Sequence, residues 1–189
     1  MSEEGNKSED NSISEEPAIC IDNGSGTVKA GLAGEAKPKV VFPSIVGKTK
    51  PKAKKQNAEL KDFYVGEEVE ANVDNVIVKT PIDAGVVNDW DLMEKIWEHT
   101  FHLLQVEPEE RRVFLTEPPH NPKQNREQMA EIMFDKFMVG SLHVGMQAVM
   151  SLYAVGKTTG VVLDIGDGVA HTVPVSEVLL SSTSSPFRR

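Results

Sequence analysis

Cysteine and long apolar runs are scarce in this chain of 189 residues, and each scarcity excludes a class of protein. The one cysteine, Cys20, excludes an internal disulfide framework and favours a reducing compartment. No apolar run approaches the roughly 20 residues that span a bilayer. Residues 1–7 lack the basic and apolar parts of a signal peptide. We therefore expect a cytoplasmic protein, with the nucleus as the alternative, and no membrane partner.

Charge is unevenly distributed along the chain, whose net value is −9. Residues 1–17 hold six acidic residues against Lys7 and no aromatic residue, a composition that predicts a disordered acidic arm. The stretch 48–55, KTKPKAKK, is basic and is typical of a solvated loop or of a contact with an anionic partner. Because the chain as a whole is acidic, we expect no direct nucleic-acid binding.

Two loops, Asp22-Asn23-Gly24-Ser25-Gly26 and Asp164-Ile165-Gly166-Asp167-Gly168, follow nearly the same pattern. Each lies between an apolar run and a second strand-like stretch. A tip with a carboxylate and two glycines lets backbone N–H groups approach a phosphate while the aspartate faces a cation. One such loop is also compatible with an ordinary tight hairpin. Two of them predict a phosphate chain held from both sides.

Apolar periodicity predicts an α/β layer fold, because strands alternate with helices along the chain. The first predicted helix begins at Asn88 or Asp89, both good N-cap residues. The second follows Asn121-Pro122, and the third covers about Leu142 to Tyr153. The predicted strands are 18–22, 28–33, 39–42 and 112–116.

Several further blocks, together with the two loops, resemble the actin family in their order and spacing. The resemblance runs from about Pro17 to Glu177. The blocks are the loop at 22–26 with Lys29, VFPSIVG at 41–47, NDWDLMEKIWEHTF at 88–101, LTE at 115–117, QAV at 147–149 and GVVLDIGDGVAH at 160–171.

The resemblance implies a ribonuclease-H-like α/β domain of the actin-type ATPase kind, with a small inserted subdomain. The expected organisation is an acidic arm at 1–17, a first-lobe core at 18–47 and 80–159, an inserted subdomain at 48–79, the first hairpin of a second lobe at 160–177 and an unrelated tail at 178–189. Since the pattern stops near Glu177, we expect an incomplete fold whose second lobe is absent. We also expect the hairpin at 160–174 to lack partner strands.

The resemblance also implies ATP or ADP with Mg²⁺ or Ca²⁺. The residues it assigns to the phosphates are Gly24, Ser25, Gly26, Lys29, Gly166, Asp167 and Gly168. Asp22 and Asp164 would hold the cation through water, and Gln147 with His171 would position the attacking water. Considered alone, each residue also has an ordinary structural explanation. Asp22 or Asp167 could cap a turn, Gln147 could be a structural amide, and His171 could be a hydrogen-bonded strand histidine.

Three departures from the family pattern weigh against ordinary actin behaviour. The loop at 50–57, KPKAKKQN, has no large apolar side chain where actin has an apolar tip, so self-assembly through this loop is doubtful. Ala84 replaces a histidine of the family. Ile165 replaces a small hydroxyl residue in the second loop.

Three functions therefore stay open. The first is a truncated, actin-like ATP-binding protein of the cytoskeleton, with impaired nucleotide binding, impaired filament assembly and little or no hydrolysis. The second is a non-enzymatic half-actin fragment or interaction module. The third is a divergent actin-related subunit of a larger complex. The expected partners are actin or actin-binding proteins.

Overall fold

A computed structural model describes residues 16–176, 179–180 and 185–188. The predicted acidic arm lies outside the described residues except for Glu16 and Pro17. The strands are β1 (Ile19–Asn23), β2 (Thr27–Leu32), β3 (Val40–Pro43), β4 (Val46–Thr49), β5 (Phe63–Val65), β6 (Val76–Lys79), β7 (Ile82–Asp83), β8 (Val86–Val87), β9 (Arg112–Glu117), β10 (Ser141–Met146), β11 (Gly160–Ile165), β12 (Val169–Ser176), β13 (Leu179–Leu180) and β14 (Ser185–Arg188). The α-helices are α1 (Pro51–Gln56), α2 (Glu67–Ala71), α3 (Trp90–Leu104), α4 (Lys123–Glu131) and α5 (Gln147–Ala154).

The main sheet has five strands in the order β10-β9-β1-β2-β3. β1, β9 and β10 are parallel to one another, whereas β2 and β3 continue the sheet antiparallel. Alternate residues of β1 and β9 point into the core, and Ile19, Ile21 and Leu115 are fully buried there. The four strands predicted in this part of the chain are confirmed to within one residue.

Helix α3 packs its apolar face against this sheet. It begins as predicted, because the Asp89 side chain accepts a hydrogen bond from the Leu92 N–H at 3.2 Å. It ends at Gln105, whose φ of 58° is the left-handed conformation of a helix C-cap. The buried face consists of Leu92, Met93, Ile96, Trp97, Phe101 and Leu104.

The second predicted helix is also confirmed: α4 continues into a π-helical turn at Ile132–Lys136. Its predicted apolar face is buried and consists of Met129, Ile132, Met133 and Phe137. No helix within the described residues combines the length and the apolar character needed to cross a bilayer.

The prediction of one helix from Leu142 to Tyr153 is wrong. Its first part is strand β10, which pairs in parallel with β9 along all six residues, and only then does α5 begin. Ser141 to Val144 alternate polar and apolar residues, and the polar ones are exposed, which is typical of a strand. Gly145 permits the pairing, since a Cβ there would lie 2.6 Å from the Phe114 ring.

The chain between β3 and β7 forms a three-stranded antiparallel sheet in the order β5-β4-β6. Gly47, in the central strand, lets Val69 of α2 and Val76 of β6 approach closely; a Cβ at this position would lie 2.9 Å from Val76. Tyr64, Val69 and Val76 form a small buried cluster of their own. Ile45 packs against this cluster, and Val46 and Val65 of the same sheet belong to the main core, so the small sheet is held from both sides.

The second Asp–Gly hairpin, β11–β12, belongs to a separate sheet. The expectation that it lacks partner strands is wrong, since β12 also pairs with β13 and β14, both from the predicted tail. Helix α5 packs on this sheet through Ala148, Val149 and Leu152 against Val173 and Val175. Strand β11 is an edge strand with three exposed apolar side chains: Val161 (69%), Leu163 (63%) and Ile165 (60%).

Candidate nucleotide-binding site

Three polar residues meet at the carboxyl ends of the parallel strands β1, β9 and β10. Asp22 lies near the end of β1, Thr116 near the end of β9, and Gln147 follows β10 directly. The Thr116 hydroxyl donates to Asp22 Oδ1 at 2.7 Å, and Gln147 Nε2 donates to the same oxygen at 3.2 Å. Carboxyl ends of parallel strands are where open α/β sheets bind ligands, so this cluster marks a candidate site.

Asn23 fixes the first loop to the helix beneath it. Its side-chain oxygen accepts a hydrogen bond from the Trp97 indole N–H at 3.1 Å, and both side chains are buried. Its backbone N–H donates to Thr116 Oγ1 at 3.2 Å. The loop therefore starts from a rigid position, because a buried polar pair of this kind is costly to separate.

The two Asp–Gly loops lie directly against each other. A Cβ added to Gly26 would be 2.8 Å from the Cβ of Asp167, closer than side chains tolerate. A Cβ added to Gly168 would be 3.4 Å from Ser25 Oγ and 3.2 Å from the Ala84 backbone nitrogen. Neither glycine has a positive φ. Gly26 is therefore required for the close approach of the two loops, and a side chain at Gly168 would be tightly packed.

Ser25 and Lys29 complete the first loop. Ser25 Oγ accepts a hydrogen bond from the Gly85 N–H at 2.9 Å, which ties the loop to the chain between β7 and β8. Lys29 Nζ lies 3.5 Å from Asp22 Oδ2, and about half of the lysine side chain is exposed. An exposed pair of this kind is weak. The ammonium group is thus free to exchange the carboxylate for another anion.

His171 lies opposite Asp164 in the β11–β12 pair and is buried. Neither ring nitrogen has a hydrogen-bond partner among the described residues. Burial lowers the pKa of His171 below its ordinary value of 6.5, while the charge of Asp164 acts in the opposite direction. The side chain lines a cavity of about 390 Å³ with Asp83, Asn88 and His120. Burial therefore favours the neutral form of the imidazole.

Glu117, next to Thr116, is a buried carboxylate with two partners. The Arg126 guanidinium donates to both of its oxygens, and Asn121 Nδ2 donates at 3.0 Å. Charged residues are buried only when they are paired. This network holds the end of β9, and hence Thr116, in place.

The structure thus gathers most of the predicted site residues in two groups. Asp22, Lys29 and Gln147 are connected around one carboxylate. Ser25, Gly26, Asp167 and Gly168 form the contact between the loops. Gly24 and Gly166 lie within the two turns, and Asp164 faces His171 across its hairpin.

No hydrogen bond joins His171 to Gln147 in the part of the chain that the structure describes. Thr116, Asn23, Glu117 and Trp97 had no predicted role in the site, although all four lie in blocks that carry the resemblance, at 22–26, 88–101 and 115–117. A second signal was the position of Thr116 and Glu117 at the end of the predicted strand 112–116.

The donor set fits the groups that the resemblance implies. Loop backbones that approach without side chains between them leave N–H groups for phosphate oxygens. Within the described residues no three His, Cys, Asp or Glu side chains are grouped to ligate a metal directly. Two separate carboxylates therefore suit a cation that keeps its water shell, as Mg²⁺ does.

By its fold and site, this protein belongs to the class of α/β proteins in which two Asp–Gly hairpins face each other. Comparison with known families makes the assignment specific. The model of the family described as Actin matches residues 13–183, which is most of the chain. The chain belongs to the actin family.

Proposed function

We propose that this protein binds ATP or ADP, with Mg²⁺ or Ca²⁺, between the two Asp–Gly loops. The observation that carries the proposal is the close approach of Gly26 to Asp167. Loops that stand this close can contact the same phosphate chain from two sides. Membership of the actin family supports the same ligand.

Each group in the site has a role in this proposal. Backbone N–H groups of both loops and the Ser25 hydroxyl donate to phosphate oxygens. Lys29, which now pairs weakly with Asp22, supplies positive charge to the same phosphates. Asp22 and Asp164 accept hydrogen bonds from the water shell of the cation. When bound, the cation neutralises phosphate charge.

Slow ATP hydrolysis is the second part of the proposal. Gln147 lies within hydrogen-bond distance of Asp22, at the cation side of the site. Phosphoryl transfer needs positioning more than covalent chemistry, and a glutamine amide can orient a water molecule for it. Burial favours the neutral form of His171, whose unprotonated ring nitrogen is an acceptor.

A cytoskeletal role with actin or actin-binding partners in the cytoplasm is the cellular setting that we propose. The surface of α1 favours contacts made through charge. Lys52 and Lys55 of α1 are exposed, whereas Lys54 pairs with Asp62 at 3.0 Å. Lys61, which follows α1 in the chain, pairs with Glu68 at 2.9 Å. A second candidate function, that of an interaction module without turnover, would use this basic surface alone.

Titration with Mg-ATP tests the binding proposal. The Trp90→Phe variant leaves Trp97 as the sole tryptophan, and Trp97 contacts Asn23 in the first loop. We expect a saturable fluorescence change. Gly26→Ala should weaken binding about 10- to 100-fold, because overpacking at this contact costs about 1–3 kcal/mol.

Ile165→Ala is the matched control in the second loop. The Ile165 side chain is 60% exposed and has no role in the proposed site. We expect its affinity for Mg-ATP to stay within about threefold of wild type. Equal affinities for Gly26→Ala and wild type would contradict a shared phosphate site between the loops, and the interaction module would then be the better candidate.

A further inference from the structure

We propose that Thr116 is a positioning residue for ATP hydrolysis: its hydroxyl holds the Asp22 carboxylate and the Gln147 amide in a fixed relation. The inference rests on the proposed function. No family motif quoted from the sequence gives this threonine a role. Three hydrogen bonds in the structure converge on it.

The Thr116 hydroxyl uses its full hydrogen-bonding capacity. A hydroxyl has one hydrogen to donate and two lone pairs that accept. Because a carboxylate can only accept, the hydrogen points to Asp22 Oδ1, 2.7 Å away. Both lone pairs are also used, since the backbone N–H of Asn23 lies at 3.2 Å and Gln147 Nε2 at 3.4 Å. The orientation of the hydroxyl is therefore determined by its partners.

The same bonds determine which way the Gln147 amide faces. Its nitrogen must face Asp22 Oδ1, at 3.2 Å, because the carboxylate has no hydrogen to give the amide oxygen. The same nitrogen also lies 3.4 Å from Thr116 Oγ1, so the carboxylate and the hydroxyl hold one side of the amide together. Within residues 16–176 no side chain donates to Gln147 Oε1. That oxygen is left as the acceptor for a hydrogen of the attacking water.

The sheet topology explains why a residue of β9 performs this task. β9 lies between β1, which carries Asp22, and β10, which leads into Gln147. A side chain at the end of the middle strand is the one that can reach both neighbours. Asn23 is itself held by Trp97, so the assembly is anchored to α3. Without the hydroxyl, the Gln147 amide loses one of its two fixed contacts and is free to rotate.

The experiment compares Thr116→Val, which keeps the branched shape, with Thr116→Ser, which keeps the hydroxyl. We expect Thr116→Val to lower kcat for ATP about 10- to 100-fold, the usual effect of a misplaced reacting group, and to leave the Kd for Mg-ATP within about threefold. Thr116→Ser should restore kcat. In a Gln147→Ala background, Thr116→Val should cause no further loss.

A second readout needs neither nucleotide nor turnover. The side-chain NH₂ signals of Gln147 are recorded by ¹H–¹⁵N NMR of the ligand-free chain and assigned by their loss in Gln147→Ala. We expect Thr116→Val to shift or broaden them and Thr116→Ser to leave them near their wild-type positions. The dispersion of the remaining amide signals shows whether each variant is folded.

The outcomes separate this inference from the proposed function. A wild-type chain that does not bind Mg-ATP overturns the proposed function, and the Gln147 signals then still decide whether Thr116 holds the amide. Binding without a kcat defect in Thr116→Val overturns the positioning role. A defect that Thr116→Ser does not rescue, or unshifted Gln147 signals in Thr116→Val, overturns it as well.

Discussion

The two Asp–Gly hairpins share a local pattern and stand in different surroundings. Ile21, just before Asp22, is fully buried, whereas Leu163, just before Asp164, is 63% exposed. β1 lies between β9 and β2 in the main sheet, while β11 pairs with β12 alone among the described strands. The local pattern is thus sufficient for a hairpin, and its neighbours decide how deeply the strand before the aspartate is buried.

The loops that begin at the two aspartates also differ in burial. Asn23, after Asp22, is buried and bonded to Trp97, but Ile165, after Asp164, is 60% exposed. The first loop is held by side chains from α3 and β9. The second is held in this structure mainly by its contact with the first, where Asp167 meets Gly26. We therefore expect the first loop to be the more rigid partner of the site.

This difference in burial should have its largest effect on stability. The comparison of Ile21→Ala with Leu163→Ala tests it. Ile21→Ala creates a cavity in the main core and should lower the free energy of unfolding by about 2–5 kcal/mol. Leu163→Ala removes an exposed side chain and should change it by less than about 0.5 kcal/mol. Urea denaturation measures both. Similar losses in the two variants would show that β11 is covered in solution.

A smaller effect is expected at the residue that follows each aspartate. Asn23→Ala leaves the Trp97 indole N–H buried without its partner, which should cost about 1–3 kcal/mol. Ile165→Asn gives the second loop the residue of the first and should change stability by less than about 0.5 kcal/mol, because the position is exposed. The urea midpoints of the two variants measure these changes in stability. An unchanged Asn23→Ala would mean that the first loop is not anchored through α3.

The smallest expected effect is a dependence of stability on pH. Burial lowers the pKa of His99 next to the main sheet and of His171 in the second hairpin. Each histidine binds a proton less readily in the folded chain than in the unfolded chain. The free energy of unfolding should therefore fall as the pH is lowered through and below 6.5, the ordinary value.

Two variants separate the contributions of these histidines. Urea midpoints between pH 5 and 7.5 should show a shallower acid slope for His99→Gln and for His171→Gln than for wild type. Unchanged slopes in both would contradict neutral, buried imidazoles. A change in His99→Gln alone would show that the second hairpin admits water around His171.

Much of the main sheet could be predicted from local patterns. Alternation placed β1, β2, β3 and β9 to within one residue, and Asp89 marked the start of α3. The boundary between β10 and α5 was missed, although residues 141–144 alternate polar and apolar as a strand does. Helix α5 follows β10 without a loop between them, and pairing with β9 confirms the strand. The partner strands of the second hairpin were missed for a different reason: β13 and β14 follow β12 closely in the chain, but they lie in the serine-rich segment that was predicted to be an unrelated tail.

The sequence by itself determined the family, the charge distribution and the two Asp–Gly hairpins, because these depend on residue types and short spacings. Only the tertiary structure decided which of the site residues contact one another, and it added Thr116 to them. Thr116 is 94 residues from Asp22, and Gln147 is 125 residues from it, yet parallel strands bring all three side chains into contact. The same packing set Gly26 against Asp167 and left β11 at an edge. No local pattern contains those distances.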